Sequence, residues 1–258
     1  MNITWLGNAS VLLQTGGEQL LFDPFAELIG GANPAVLDDF SGCSTIFATH
    51  GHFDHLYFVP DLMDGQDRTL FCTATPAGTV ERYAEANDQI VSVRPGDTFR
   101  LGEVQVTVWK GSHIKSSLSY KLKKLCSLRI LKYFRNARFI AYANRRFPEN
   151  GETVCYEIRS EGKSVFVMGS LGLDPSVSYP TGMDVLILPF QGSDHLEEKA
   201  MDVIGRLRPR RIVLSHFDDA FPPLTENVPT TGLYRLITEK YPEIQTVRPS
   251  FKKTLTVR

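Results

Sequence analysis

No apolar run in this sequence of 258 residues approaches the ~20 that a bilayer-crossing helix requires, which excludes a helical membrane span. Cysteine is sparse: Cys43, Cys72, Cys126 and Cys155 are scattered, with no Cys-x-x-Cys pair. That spacing argues against a disulfide framework and reads as free thiols in a reducing compartment. The opening MNITWLGNAS lacks a basic region followed by an apolar stretch, so no secretory signal is expected there and a cytoplasmic setting is. Net charge is nearly absent, 28 Lys and Arg against 29 Asp and Glu. Internal repeats and low-complexity segments are missing too, which excludes solenoids and tails. What is present is ordinary globular composition, 42% hydrophobic and 22% charged, on a chain long enough to bury a core.

One local absence stands out. Between Ile114 and Pro148 there is no Asp or Glu, while ten basic residues occur: Lys115, Lys121, Lys123, Lys124, Arg129, Lys132, Arg135, Arg138, Arg145 and Arg146. Without those ten the chain holds 18 basic residues against 29 acidic, so a basic segment interrupts an acidic body. Within it, apolar residues at 118, 122, 125, 128, 131 and 134 recur every three or four positions, as on one helix face. Three readings follow: a lid helix packing that face on the body, an electropositive funnel for an anionic substrate, or a helix resting on anionic lipid. Nucleic acid is disfavoured, because the remainder is acidic and no aromatic-basic motif occurs.

Outside that segment the pattern is one of short strands and turns. Ile3–Leu6, Ser10–Gln14 and Gln19–Phe22 form a meander, and Thr45–Ala48 and Leu70–Thr73 follow as apolar strands. Pro76 opens a helical stretch to about Ala86, at a favoured first-turn position. Strands are expected at Ile90–Val93, Thr98–Leu101, Val104–Trp109, Val154–Arg159, Ser164–Met168, Val185–Leu188 and Ile212–Leu214. Asp194 is placed to cap a helix reaching Leu207, and Thr230 or Thr231 opens a last helix to Lys240. The sum is an α/β fold with two packed sheets and helices outside, a four-layer αββα sandwich.

Three of the six histidines fall in Thr49-His50-Gly51-His52-Phe53-Asp54-His55. In an extended segment residues i and i+2 point the same way, so His50 and His52 can grip one ion, while Asp54 and His55 face an adjacent position. The plain alternative is a histidine-rich turn solvated at the surface, which delivery by the apolar strand Thr45–Ala48 disfavours. His113 and His216 each end an apolar strand, where a lone histidine is ordinarily a hydrogen-bonded cap. Beside the cluster they read as ligands, since a hydrolytic metal pair needs about six. His195, next to Asp194 and Glu198 at a helix start, reads as a surface residue or a distant support.

These residues resemble the metallo-β-lactamase-fold hydrolases, most closely the branch of L-ascorbate-6-phosphate lactonase-like proteins and N-acyl-phosphatidylethanolamine phospholipase D. The matching segments, in the family's order, are ITWLGNASVLL, LLFDPF, THGHFDH, KGSH, VFVMGS, ILPFQG and LSHFDDAFPP. The resemblance covers about 1–114 and 150–222 and implies a single domain over 1–258 with a basic helical insertion at about 115–149. It implies that His50, His52 and His113 hold one divalent metal and Asp54, His55 and His216 a second. Zinc is expected, with manganese as the alternative. It also implies that Asp23 supports the metal loop and that Asp54 orients a metal-bound hydroxide attacking a small anionic substrate, a phosphodiester or a lactone.

Three departures qualify this. Ser170 stands where the branch usually has a bridging aspartate, which should leave the second metal more exchangeable. One subclass of true metallo-β-lactamases tolerates serine there, with the second metal on Asp-His-His. Asn8 replaces the histidine of the branch's Gly-His-Ala motif, altering a supporting hydrogen bond, and 115–149 aligns with nothing. The competing reading is a non-catalytic metal- or ligand-binding protein whose basic insertion contacts an anionic partner or a membrane surface.

Overall fold

A computed structural model describes residues 1–26, 28–33, 35–84, 89–115, 117 and 126–257. Among these residues fourteen strands pair into two seven-stranded mixed sheets. The first runs β14-β1-β2-β3-β4-β5-β6: Thr254–Thr256, Asn2–Trp5, Val11–Thr15, Glu18–Phe22, Thr45–Phe47, Thr69–Cys72 and Ile90–Ser92. The second runs β13-β12-β11-β10-β9-β8-β7: Gln245–Val247, Arg211–Ser215, Val185–Pro189, Lys163–Met168, Val154–Ser160, Val104–Lys110 and Thr98–Leu101. Each sheet begins as an antiparallel meander and finishes parallel: β3-β4-β5-β6 in the first, β10-β11-β12-β13 in the second. Parallel pairing needs crossovers, and those crossovers carry the helices and long loops.

Among the described residues the α-helices are α1 (Phe53–Leu56), α2 (Val59–Met63), α3 (Ala74–Val80), α4 (Arg129–Lys132), α5 (Phe134–Arg146), α6 (Leu196–Leu207) and α7 (Thr231–Lys240). Alternation along the strands sorts side chains between two cores. In β3 to β5, Leu20, Phe22, Phe47 and Phe71 point into the space between the sheets, whereas Leu21, Ile46, Leu70 and Cys72 point outward. The outward set packs on Leu56, Val59, Leu62 and Met63 of α1 and α2. Strands covered on both faces lose the apolar-polar alternation and read as continuous apolar runs, which is why they were visible in the sequence. Phe22, Phe47, Phe71 and Phe99 stack in series at 4.9, 5.0 and 4.8 Å between centroids, tying the first sheet to β7 of the second. On the far face of the second sheet, Ala200, Val203, Ile204, Leu207, Leu233 and Ile237 of α6 and α7 complete the αββα order.

Several boundaries differ from the sequence pattern. Helix α3 begins at Ala74, ahead of Pro76, and ends at Val80. His195, not Asp194, is the residue before α6. β13 and β14 were missed: each has three residues and no fully buried side chain, so apolar patterning has nothing to register. The expected stripe from 118 to 134 lies partly outside the described residues, at 118, 122 and 125. Its described members are corrected: Leu128 is 82% exposed, Leu131 73% and Phe134 53%, so they do not pack on the body. The segment docks instead through Asn136, Ile140 and Ala143 of α5, with Phe139 edge-on to Tyr57 at 4.9 Å. Among the described residues no helix is long and apolar enough to cross a membrane.

Candidate functional site

The site lies at the carboxyl ends of the strands, where loops from both sheets meet, the position open α/β sheets characteristically use for ligands. β4 ends at Phe47, and the chain then turns under a carboxylate. Asp23, just after β3, accepts from Thr49 N at 2.8 Å and Thr49 Oγ1 at 2.7 Å. Asp23 Oδ2 also sits 2.9 Å from His55 Nδ1, so one buried acid fixes both ends of the His50–His55 segment. Tyr156 Oη donates to Ala48 O at 2.9 Å, and Val154 N to Thr49 O at 2.9 Å, which pins the segment to the second sheet. Gly51 has no room for a side chain: a Cβ there would lie 2.2 Å from Pro148 O. His52 precedes α1 in extended conformation, and the first turn of that helix then presents Asp54 and His55 inward, both buried.

The two remaining histidines come from the second sheet. His113 follows β8; the next residue's amide, Ile114 N, donates to Ser170 Oγ at 2.9 Å, so Ser170 steadies the loop that bears His113. His216 follows β12 with φ of +51°, a left-handed conformation held by its own N–H donating to Asn8 O at 2.7 Å. Asn8, at φ +47°, is the hub of this corner. Its amide Nδ2 donates to Asp54 O at 2.7 Å, its N to Asp218 Oδ2 at 3.2 Å, and its carbonyl also accepts from Trp5 Nε1 at 2.8 Å. The asparagine therefore joins the backbones of Asp54 and His216, which the sequence anticipated only as an altered hydrogen bond.

The six expected residues converge as two triplets. His50, His52 and His113 form one and Asp54, His55 and His216 the other, with the candidate ligand atoms of each triplet within 4.8 Å of one another. The rings of His50 and His55 lie 4.0 Å apart between centroids, so the triplets adjoin. His195 is apart from them, 64% exposed beside Glu198. Electrostatics separates the triplets. Burial, then the neighbouring imidazoles, lowers His50 well below the ordinary histidine value and His113 to about 4. In the second triplet burial opposes charge, but Asp54 and Asp23 outweigh it and raise His55 to about 10. Asp54 is likewise buried, yet His55 and His216 hold it well below the usual carboxylate range.

These residues fit a metal. His50 Nδ1 is engaged by Thr49 Oγ1 at 3.0 Å, while its Nε2 is buried with no partner, a cost that a coordinated ion would remove. Neutral imidazoles at positions 50 and 113 are the protonation state that coordination needs. Replacing Asp23 by Asn would set an amide N–H against the Thr49 and His55 donors. Asp23→Asn is expected to weaken metal binding about 10–100-fold, measured by competition with a chromogenic chelator; unchanged affinity would remove Asp23 from this role.

Residues the sequence reading passed over also reach the rim. Glu149 accepts from Thr153 Oγ1 at 2.5 Å and Gly151 N at 2.9 Å and bears electrostatically on His52 and His113. Asn144 of α5 and Gln191 line the cleft over the triplets, and Asp218 is wholly buried behind Asn8. Asp218 and Gln191 lay inside recognised segments, but Asn144 and Glu149 lay in the unaligned stretch, where no motif points to them.

Comparisons with known proteins agree with this architecture. Residues 18–217 match the family model described as "Beta-lactamase superfamily domain". A UPF0173 metal-dependent hydrolase of Archaeoglobus fulgidus is 32% identical over 113 residues, 44% of this chain and 46% of that protein. One from Roseiflexus castenholzii is 27% identical over 118 residues, 43% of this chain and 47% of that protein, so the matches span about half the length of these relatives. Among solved structures, Igni18, a metallo hydrolase from Ignicoccus hospitalis, superimposes with a TM-score of 0.70 at 17% identity, over 98% of this chain and 97% of that one. That likeness speaks to the fold.

Proposed function

The chain belongs to the beta-lactamase superfamily, and from that premise we propose that it is a metal-dependent hydrolase of a small-molecule substrate. The observation that carries the reading is the convergence of two ligand triplets, in the first of which His50 Nε2 is buried with no hydrogen-bond partner. His50, His52 and His113 would hold one divalent ion and Asp54, His55 and His216 a second, with zinc favoured by the imidazole-rich set. Such ions supply Lewis acidity and lower the pKa of water. The chain's residues do the rest. Asp54 would orient the attacking water and take up its proton, then pass it to the leaving group. Asp23 and Asn8 would hold Asp54, His55 and His216 in place, and Ser170 would fix the His113 loop without itself binding metal.

We take 1–258 as one domain with 115–149 inserted into it. Arg129 tethers that insertion beside His216, donating to Thr225 O at 2.8 Å and pairing with Asp219. Asn136 Nδ2 adds bonds to Ile29 O at 2.8 Å and Pro222 O at 2.9 Å. The free thiols, three of them buried, support a reducing, cytoplasmic setting. A non-catalytic binder would be under no demand to keep six ligands; all six are present.

Elemental mass spectrometry on protein purified without chelator should find about two equivalents of zinc, manganese or iron per chain. Hydrolysis of a test ester or phosphodiester should vanish on chelation and return with metal. Less than about half an equivalent after reconstitution would defeat the proposal.

A further inference from the structure

The insertion's outward face has no part in the hydrolase reading. Around α4 and the start of α5, Leu128, Leu131 and Phe134 are 82%, 73% and 53% exposed. Ile29, 71% exposed, joins them, held by its carbonyl, which accepts from Asn136 Nδ2 of α5. Soluble surfaces scatter large apolar side chains singly, and several gathered at one corner mark a contact.

Helix α5 continues the surface with charge. At about 100° per residue, Phe134, Arg135, Arg138, Tyr142 and Arg145 fall within an arc of roughly 100°. All are exposed, whereas Asn136, Ile140 and Ala143, on the far side, are buried against the body. Arg146, further round, is already engaged: its guanidinium carbon lies 4.2 Å from the Tyr142 ring centroid, in a groove that Asp61 also lines. By sequence, residues 114–148 carry ten basic residues and no acid, while the rest of the chain has 18 basic against 29 acidic. The molecule is therefore polarised, and an anionic surface attracts this face while repelling the body.

The form of the patch favours lipid over protein. A leucine with some three-quarters of its surface open has little beside it. A rigid partner would cover such a side chain on one flank, whereas a fluid acyl layer surrounds it. Arginines beside phenylalanine and tyrosine suit the headgroup level, where guanidinium meets phosphate and aromatic rings settle.

We propose that this face, Ile29, Leu128, Leu131 and Phe134 with Arg135, Arg138 and Arg145, docks the protein on an anionic lipid bilayer. The apolar side chains enter the boundary between headgroups and acyl chains, and the arginines pair with lipid phosphates and carboxylates. A patch of this size gives reversible contact that salt weakens.

The full chain, as purified, is co-sedimented with vesicles of phosphatidylcholine alone and of phosphatidylcholine with about one-third phosphatidylserine. Partitioning should favour the anionic vesicles at least about tenfold, and raising salt from about 0.05 to about 0.5 M should remove most of that preference. Arg135→Gln, Arg138→Gln and Arg145→Gln should each cost about fivefold, and Leu131→Ser about tenfold. Arg235→Gln, an equal loss of charge on α7, should leave partitioning unchanged. Phe134→Trp should shift its emission to the blue with anionic vesicles only. The substituted side chains are exposed, so folding is retained, which calorimetry checks. No partitioning, equal partitioning onto both vesicles, or the same loss in Arg235→Gln as in Arg138→Gln overturns the proposal. Self-association in sedimentation equilibrium that Leu131→Ser abolishes overturns it too, assigning the face to a second copy of the chain. None of these readouts involves turnover, so the hydrolase reading stands or falls separately.

Discussion

Asp54→Ala is expected to lower metal-dependent hydrolysis by about 10²–10³-fold or more and to remove close to one metal equivalent per chain. The carboxylate is buried, with Oδ2 3.1 Å from His216 Nε2 and 3.4 Å from His55 Nε2, so it is the anion that two imidazoles share. Alanine takes from His216 its hydrogen-bonded carboxylate and leaves Asp23 as the acid beside His55, so His55, now raised to about 10, would fall back toward the ordinary histidine value. An amide at the same position separates the roles. Asp54→Asn keeps an oxygen donor but cannot carry a proton, so it should retain more metal than Asp54→Ala while still losing most of kcat. Metal content by mass spectrometry and kcat/KM on the same preparations decide the matter. Full metal content and a wild-type rate in Asp54→Ala would remove this residue from the site.

The second large effect is structural and lies where the two sheets touch. Gly169 follows β10, and a Cβ on it would sit 1.7 Å from Thr49 Oγ1, 2.5 Å from Thr49 Cβ and 3.0 Å from Asp23 Oδ2. No rotamer relieves an overlap with another residue's Cβ, so Gly169→Ala must either part the sheets or break the Thr49–Asp23 bonds. The expected cost is about 2–4 kcal/mol, a fall in Tm of roughly 5–15 °C for a chain of this size. Because Asp23 also meets His55, metal affinity should fall with stability. Gly78→Ala is the matched control: Gly78 lies in α3, and a methyl group there would meet nothing within 4 Å, so alanine should be neutral or mildly stabilising. Calorimetric unfolding of the metal-free proteins compares them. A Gly169→Ala protein as stable as Gly78→Ala would show that the contact yields without cost.

Much of this protein was legible before any fold was known. The run from His50 to His55 declares its chemistry locally, because alternation and one helical turn act over a few residues and aim the side chains at a common place. Asp23 was legible through its motif, and the doubly covered strands through their unbroken apolar runs. The four-layer order followed from those strands and the helices between them.

Other features were decided only in three dimensions. His113 and His216 look alike in sequence, each a histidine at a strand end, and so does any capped histidine. His113 joins His50 and His52, and His216 joins Asp54, 162 residues away, because β8 and β12 deliver their ends to the same edge. The insertion shows the limit from the other side. Its apolar repeat suggested a face for packing, yet Leu128, Leu131 and Phe134 stand in solvent while Asn136, Ile140 and Ala143 are buried. Among its described cations, Arg129 is bound to Thr225 O and Asp219, and Arg146 lies over the Tyr142 ring, pairings that composition does not announce. Periodicity and composition report what a segment could bury or attract. Which face is covered, and which charges are already paired, depends on long-range pairing that no local pattern carries.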